Sequence, residues 1–190
     1  ASWTPQGLFP APSLSGGGSV PATILLGVLA QESNLWQASG RVLPGVTGNT
    51  LSGGYCGRPA AGADPYSVDF SQADCGYGIA QVMDGMVLAS ARRSSDAVAP
   101  YPYSTQVAVA LDYKTNIAAG LRILADKWNT TRNAGMVIND GNPARLENWF
   151  YALWAYNSGF YQKGADSSGQ WGVGWHNNPA NPQWPDRDRF

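Results

Sequence analysis

Apolar residues recur at intervals of three and four in four stretches of the chain, and this spacing predicts four amphipathic helices. The first helix should begin just after a glycine run, where Ser19 can cap it and Pro21 suits its first turn, and Gly40 can end it. The other helices are expected over residues 78–92, 107–128 and 143–158. Positions expected to face inward include Val28, Met83, Tyr113, Leu146, Trp149 and Phe150.

The remaining residues have the composition of loops. Residues 1–18 carry three prolines and end in the glycine run, which is typical of a linker or surface lead-in. Residues 40–76 are rich in Gly, Ser, Pro and Asp and predict loops with a short hairpin. Residues 161–190 hold three tryptophans among Gly, Asn and Pro and predict an irregular wrap over the helices. We therefore expect a mainly α fold, with residues 19–160 as one domain and the wrap as part of it.

The composition argues against several classes of partner. Charged residues make up 13% of the chain and the net charge is −1, so nothing indicates binding to nucleic acid or to a strongly anionic membrane. No apolar run approaches the roughly 20 residues that span a bilayer. The chain begins with Ala and shows no signal peptide, so we expect it to be a segment processed or excised from a longer protein.

The two cysteines, Cys56 and Cys75, lie in the glycine-rich stretch. We expect one disulfide, which would stabilise the fold by roughly 3 kcal/mol in the chain-entropy model, with two buried thiols as the alternative. Few Lys and many Trp, Asn and Gly favour an exported protein in which the bridge persists. The single histidine, His176, gives the cysteines too few partners for a metal site, so no metal and no cofactor is expected.

Glu32 falls on the apolar side of the first predicted helix. It lies four residues after Val28 and three after Leu29, so the three positions share one helix face. A carboxyl group there loses water and lies near the negative end of the helix dipole, and both effects favour its protonated form. A carboxyl that keeps its proton near neutral pH can act as a general acid. In the alternative interpretation, which is commoner for an isolated glutamate, Glu32 extends to solvent or pairs with an arginine.

Three further stretches carry side chains that suit a polar ligand. In CGYGIAQV, glycines on both sides of Tyr77 let the backbone approach a ligand closely, and Gln81 offers a donor and an acceptor. In TNIAAGLRIL, small residues after Asn116 permit close helix packing. In ALWAYNSGF, the hydroxyl of Tyr156 can bond a carboxyl group and the amide of Asn157 can bond a sugar. Each stretch alone is explained equally well as a turn, a packing patch or a helix end.

Together and in this order, the four stretches resemble the lysozyme-like family of soluble lytic transglycosylases and goose-type lysozymes. That family has a Glu-Ser pair at a helix end, a Gly-Leu-Met-Gln turn, an Asn-Ile-x-x-Gly helix and an Ala-Tyr-Asn motif. The corresponding residues here are Glu32-Ser33, Gly78-Ile79-Ala80-Gln81, Asn116-Ile117-Ala118-Ala119-Gly120 and Ala155-Tyr156-Asn157. The resemblance covers residues 22–160 and implies an α+β lysozyme-like fold, a helical bundle around a sugar-binding cleft with a small loop or β-hairpin insert. Ala80 stands where the family usually has Met, and the proline that often follows the turn is absent.

The resemblance also implies roles for the matched residues. Glu32 is the implied catalytic acid and base, Tyr156 is implied to hydrogen-bond it, and the Asn116 helix is implied to be mainly structural. Residues expected to orient or contact the substrate are Ser33, Tyr77, Gln81, Tyr156 and Asn157. The implied substrate is peptidoglycan or a related β-1,4 polymer of amino sugars.

Two products are compatible with a single catalytic Glu32. A lytic transglycosylase cleaves between N-acetylmuramic acid and N-acetylglucosamine and leaves a 1,6-anhydro end, whereas a lysozyme or chitinase-type hydrolase leaves a reducing end. An inverting hydrolase requires a second carboxylate roughly 6.5–9.5 Å away, for which Asp74 and Asp84 are candidates, although aspartates in loops are more often turn-formers. A non-catalytic wall-binding module is the third alternative. We expect a secreted or wall-associated monomer of bacterial or phage origin.

Overall fold

The computed structural model of the protein describes residues 3–37, 76–92, 98–161 and 172–173, and this part of the chain is mainly α-helical, as predicted. Its helices are α1 (Pro5–Leu8), α2 (Ala22–Ser33), α3 (Tyr103–Leu111), α4 (Tyr113–Asn133) and α5 (Phe150–Ser158). Two short 3-10 helices cover Ala89–Ala91 and Leu146–Trp149. Strands β1 (Phe160–Tyr161) and β2 (Gly172–Val173) pair antiparallel, with Phe160 opposite Val173.

The described residues belong to two compact units. The first unit comprises those within residues 1–11 and 26–121, and the second comprises those within residues 12–25 and 122–190. The buried apolar side chains of the first unit include Phe9, Val28, Leu29, Ile79, Val82, Met86 and Val109. Those of the second unit include Leu14, Ile24, Leu124, Trp128, Trp149 and Ala155. The predicted domain boundaries at residues 18 and 160 stay predictions.

Helix α2 forms where the sequence predicts it, but it ends at Ser33 and not near Gly40. Asn34 and Leu35 follow with φ values of 54° and 65°, in the left-handed region that ends a helix. The amide of Leu35 donates to the carbonyl oxygen of Leu29 (3.3 Å), which closes this end of the helix. Trp36 therefore lies beyond the helix and is 45% exposed.

The helix predicted over residues 78–92 is wrong. Apart from the 3-10 helix Ala89–Ala91 this segment consists of turns, because Gly78, Gln81 and Gly85 adopt positive φ values of 70°, 48° and 71° that no right-handed helix allows. Ile79, Val82 and Met86 nevertheless point into the core, as the apolar spacing suggested, and Met83 is 56% exposed.

The structure places the boundaries of the third and fourth predicted helices at other residues than the sequence suggested. Residues 107–128 belong to α3 and α4, which are separated at Asp112, a residue with extended backbone (φ −106°, ψ 112°). The fourth helix starts at Phe150, after a turn of 3-10 helix. Three side chains predicted to face inward are instead about half exposed: Tyr113, Leu146 and Phe150.

The described part of the N-terminal segment packs into the protein. Phe9 is buried in the first unit, where its ring meets that of Tyr101 edge-on at 5.3 Å. In the second unit Leu14 is buried, and the indole nitrogen of Trp128 donates to the carbonyl oxygen of Ser15 (3.1 Å). Phe9 and Leu14 thus belong to the cores of their units, and the role of residues 1–18 as a lead-in stays a prediction. Of the helices that the structure describes, none has both the length and the apolar character needed to cross a bilayer.

Candidate functional site

Glu32 lies in the last turn of α2, in the first unit, and its side chain is partly buried. Val28 and Leu29, which precede it by four and three residues, are 6% and 5% exposed, so Glu32 borders the buried face of the helix as the spacing predicted. The next residue, Ser33, is the last of the helix and is 1% exposed. Glu32 is therefore the second-last residue of the helix, immediately before the point where the chain changes direction.

The turn Gly78–Gln81 is closed by a pair of main-chain hydrogen bonds between Tyr77 and Val82. The amide of Tyr77 donates to the carbonyl oxygen of Val82 (3.0 Å), and the amide of Val82 donates back to Tyr77 (2.9 Å). Inside the turn, both the main-chain amide and the side-chain amide of Gln81 donate to the carbonyl oxygen of Gly78, at 3.1 and 2.9 Å. Gln81 is therefore folded onto its own turn, and it is partly buried, as is Tyr77.

Two side chains, one at the last residue of α2 and one four residues beyond it, hold Ile79 at the centre of this turn. The hydroxyl of Ser33 donates to the carbonyl oxygen of Ile79 (2.7 Å) and, at 3.2 Å, to that of Leu29. The amide of Ile79 donates to the side-chain oxygen of Gln37 (3.0 Å). Both polar main-chain groups of Ile79 are thus bonded by side chains four residues apart. Ser33 connects the turn to the helix that carries Glu32, and its expected role in orienting the substrate or the carboxyl stays a prediction.

Asn116 holds the same turn from α4. Its side chain is fully buried, its amide nitrogen donates to the carbonyl oxygens of Tyr77 (2.7 Å) and Val109 (2.9 Å), and its oxygen accepts from the amide of Ala80 (2.8 Å). A Cβ atom at Gly78 would overlap the Asn116 amide, so the turn can approach α4 this closely only with glycine at that position. The motif residue expected to be structural is in direct contact with the turn.

The break between α3 and α4 provides acceptors for these amides. The last carbonyl groups of a helix lack partners within it, and the Gln37 nitrogen donates to two of them, Val109 (3.2 Å) and Ala110 (2.9 Å). Asp112 at the break accepts from the amide of Thr115 (3.0 Å) and from its hydroxyl (2.5 Å). The Thr115 hydroxyl bond lowers the pKa of Asp112 below its ordinary value, against the opposing effect of burial.

Asp84, one candidate for a second carboxylate, occupies a second turn of the same segment. The amide of Met86 donates to the carbonyl oxygen of Met83 (3.1 Å), and Gly85 at the third position has φ 71°. The buried side chain of Gln106 donates to the carbonyl oxygens of Gly85 (2.9 Å) and Val87 (2.8 Å). Asp84 is partly buried and occupies the second position of this turn, and its role as a second carboxylate stays a prediction.

Tyr156 and Asn157 lie in the second unit, in the last turn of α5. Tyr156 is partly buried and Asn157 is exposed, and Gly159 ends the helix with φ 83°. The hydrogen bond expected between Tyr156 and Glu32 stays a prediction.

Three other predicted residues, Asp74, Cys56 and Cys75, lie outside the described residues, so the second carboxylate and the disulfide stay predictions as well.

A pocket in the second unit is lined by none of the predicted site residues. Trp128, Arg132, Gly141 and Tyr151 are among the residues that line it. The Arg132 guanidinium donates to the carbonyl oxygen of Gly141 (2.7 Å) and lies 5.9 Å from the centre of the Trp128 ring. The Arg132 side chain therefore connects this turn to α4.

Within the described residues, no three His, Cys, Asp or Glu side chains are grouped as metal ligands.

Comparisons with protein-family models, with curated proteins and with solved structures find no match for this chain. The family resemblance consequently rests on the four motifs themselves.

Two residues of the site, Gln37 and Gln106, were not singled out from the sequence. Nothing near either residue in the sequence indicates its acceptors, because those lie 72 and 73 residues from Gln37 and 21 and 19 residues from Gln106.

Proposed function

We propose that the protein is a lytic transglycosylase of the lysozyme-like fold that cleaves peptidoglycan, with Glu32 as its general acid and base. The observation that supports this most directly is the join between Ser33 and Ile79, because it fastens a glycine-containing turn to the helix residue next to Glu32. A partly buried glutamate whose neighbouring residue is hydrogen-bonded to a turn is an arrangement suited to acid catalysis on a bound sugar.

The proposed reaction needs no second carboxylate. Glu32 donates its proton to the glycosidic oxygen between N-acetylmuramic acid and N-acetylglucosamine while the bond from that oxygen to C1 breaks. The N-acetyl group of the N-acetylmuramic acid residue stabilises the positive charge that develops at C1 of that residue. The Glu32 carboxylate then takes the proton of the 6-hydroxyl group, whose oxygen bonds to C1 and closes a 1,6-anhydro ring. The carboxyl proton is restored, so the enzyme finishes in its starting state.

The turn and the fourth motif are proposed to bind the polymer. Gln81 has left-handed backbone (φ 48°), a conformation that is retained only where the surroundings enforce it and that is frequent at ligand sites. Here the pair of bonds between Tyr77 and Val82 and the Asn116 contacts enforce it. We propose that Tyr77 and Gln81 line the cleft, that Tyr156 hydrogen-bonds Glu32 and that Asn157 contacts the sugar. The protein would act outside the cell, on the wall.

The decisive experiment compares Glu32→Gln with Glu147→Gln on purified peptidoglycan. Glu147 is an exposed glutamate in the second unit, so its replacement controls for the loss of one negative charge. Clearing by Glu32→Gln should fall at least about a hundredfold, as expected on removing a general acid, while Glu147→Gln should remain as active as the parent. Mass spectrometry of the fragments should show 1,6-anhydro ends. Reducing ends would assign a hydrolase, and unchanged clearing by Glu32→Gln would exclude the role of this carboxyl.

A further inference from the structure

Gln37 connects three segments of the first unit through one side chain. Its amide oxygen accepts from the main-chain amide of Ile79 (3.0 Å), and its amide nitrogen donates to the carbonyl oxygens of Val109 (3.2 Å) and Ala110 (2.9 Å). All three partners are main-chain atoms, and they lie 42 to 73 residues away in sequence. The side chain thus joins the end of α2 to the turn and to the end of α3.

The backbone between Ser33 and Gln37 is bent so that both residues reach Ile79. Asn34 and Leu35 are consecutive non-glycine residues in the left-handed region, which an L residue such as leucine rarely adopts because its Cβ lies too close to the following carbonyl oxygen. Such a pair persists only where other contacts determine the conformation, and here the Ser33 and Gln37 bonds flank it. The strained pair therefore lies within four residues of Glu32, at the point where the helix meets the turn.

From this arrangement we infer that Gln37 is a positioning residue that sets the turn Gly78–Gln81 against Glu32 for the proposed cleavage. The inference rests on the proposed function. Gln37 acts through the Ile79 main chain and does not itself contact the sugar. If the Ile79 anchor is lost, the turn can shift relative to the end of α2 and the bound sugar shifts with it. A displacement of about 1 Å of a reacting group can cost about a hundredfold in rate.

Two replacements separate the acceptor and donor halves of the Gln37 amide. Gln37→Met keeps the length of the side chain and removes all three bonds. Gln37→Glu keeps an oxygen for the Ile79 amide, but its ionised carboxylate faces the carbonyl oxygens of Val109 and Ala110 in place of a donor. Gln6→Met is the matched control, because Gln6 is exposed in α1.

Rates should be measured on a soluble peptidoglycan fragment, well below the unfolding temperature of each variant. We expect kcat to fall roughly ten- to a hundredfold in Gln37→Met with KM changed less than threefold, and Gln6→Met to match the parent. The kcat of Gln37→Glu relative to the parent should rise as the pH is lowered, since the protonated carboxyl regains a donor, whereas the relative kcat of Gln37→Met should not change with pH. A residue that only stabilises the fold would change the unfolding temperature and leave kcat intact.

Hydrogen exchange of the Ile79 amide shows independently whether the contact is lost. Exchange should accelerate in Gln37→Met and remain unchanged in Gln6→Met. Faster exchange with kcat within twofold of the parent would overturn the positioning role and leave the proposed function standing. If the parent protein does not cleave peptidoglycan, or if Glu32→Gln does so unimpaired, the proposed function itself fails and the role of Gln37 in it fails with it.

Discussion

Ser33 and Ile79 are joined by a hydrogen bond of 2.7 Å between a side-chain hydroxyl and a main-chain carbonyl oxygen, across 46 residues of sequence. The bond attaches a turn without regular secondary structure to the C-terminal end of a helix. Gln37 binds the amide of the same residue, so the position of Ile79 is fixed from both sides of its peptide backbone. The arrangement next to Glu32 therefore depends on side chains that bond to the main chain.

Asn116→Ala should destabilise the protein by roughly 3 kcal/mol. The change removes a fully buried amide that makes three hydrogen bonds, including the acceptor for the buried amide of Ala80, and each buried group that loses its partner costs about 1–3 kcal/mol. Urea unfolding monitored by circular dichroism measures the effect. Asn133→Ala, at the exposed end of the same helix, should stay within about 0.5 kcal/mol of the parent. Equal effects of the two replacements would contradict the assigned role of Asn116.

Gly78→Ala should be more damaging than Gly17→Ala, although both glycines have positive φ. Gly17 (φ 82°) has no atom within 4 Å of an added Cβ, so its replacement measures only the left-handed strain, about 1–2 kcal/mol. At Gly78 (φ 70°) the Cβ would also overlap Asn116 and lie 2.5 Å from the Gln37 amide. We expect a total loss of about 3 kcal/mol or more, because overpacking adds about 1–3 kcal/mol. Differential scanning calorimetry measures the stability of the two variants against the parent. Equal losses of stability would show that the turn tolerates the added Cβ atom at Gly78.

Leu35→Gly should have a free energy of unfolding about 0.5–1 kcal/mol higher than Leu35→Ala, because glycine relieves the left-handed strain at φ 65° and this gain exceeds the entropy that glycine adds to the unfolded chain. The Leu35 side chain is 47% exposed, so its burial is lost in both variants, and the comparison with alanine removes that loss. The same comparison at Leu26, which is 54% exposed inside α2, should have the opposite sign, with Leu26→Gly about 1 kcal/mol less stable than Leu26→Ala, since glycine disfavours helix. Chemical denaturation measures both differences, and a less stable glycine variant at both positions would argue against strain at Leu35.

The contribution of Asp112 to stability should vanish in acid. The Thr115 hydroxyl bond depresses the pKa of Asp112 in the folded state, so its stabilising effect is present above the ordinary value of 3.8 and is lost as the pH falls through the folded-state pKa. Asp112→Ala should therefore cost about 1 kcal/mol at pH 7, a typical helix-cap effect, and the difference from the parent should shrink at and below pH 3.8. Asp112→Asn keeps a capping side chain without a titrating group, and its free energy of unfolding should lack this part of the pH dependence. A gap between the parent and Asp112→Ala that is constant from pH 7 to 2 would be inconsistent with this assignment.

Apolar spacing was sufficient to predict α2 and the partly buried position of Glu32. Both follow from a local rule, because residues three and four apart share one face of a helix. The same rule failed over residues 78–92. Ile79, Val82 and Met86 are spaced as in a helix and are buried, but the backbone that carries them turns at three residues with positive φ. A pattern of burial alone does not distinguish a helix from a turn pressed against the core.

The sequence by itself determined the helical character of the residues that the structure describes, and it contains the four ordered motifs on which the proposed role of Glu32 rests. Only the tertiary structure decided that residues 78–82 form a turn, that Ser33 and Gln37 bond to Ile79, and that Asn116 reaches the same turn. The physical reason is the range of the interactions. Helical periodicity is read within four residues along the chain, whereas the bonds that shape the turn join atoms 36 to 46 residues apart and exist only after the core has brought those segments together.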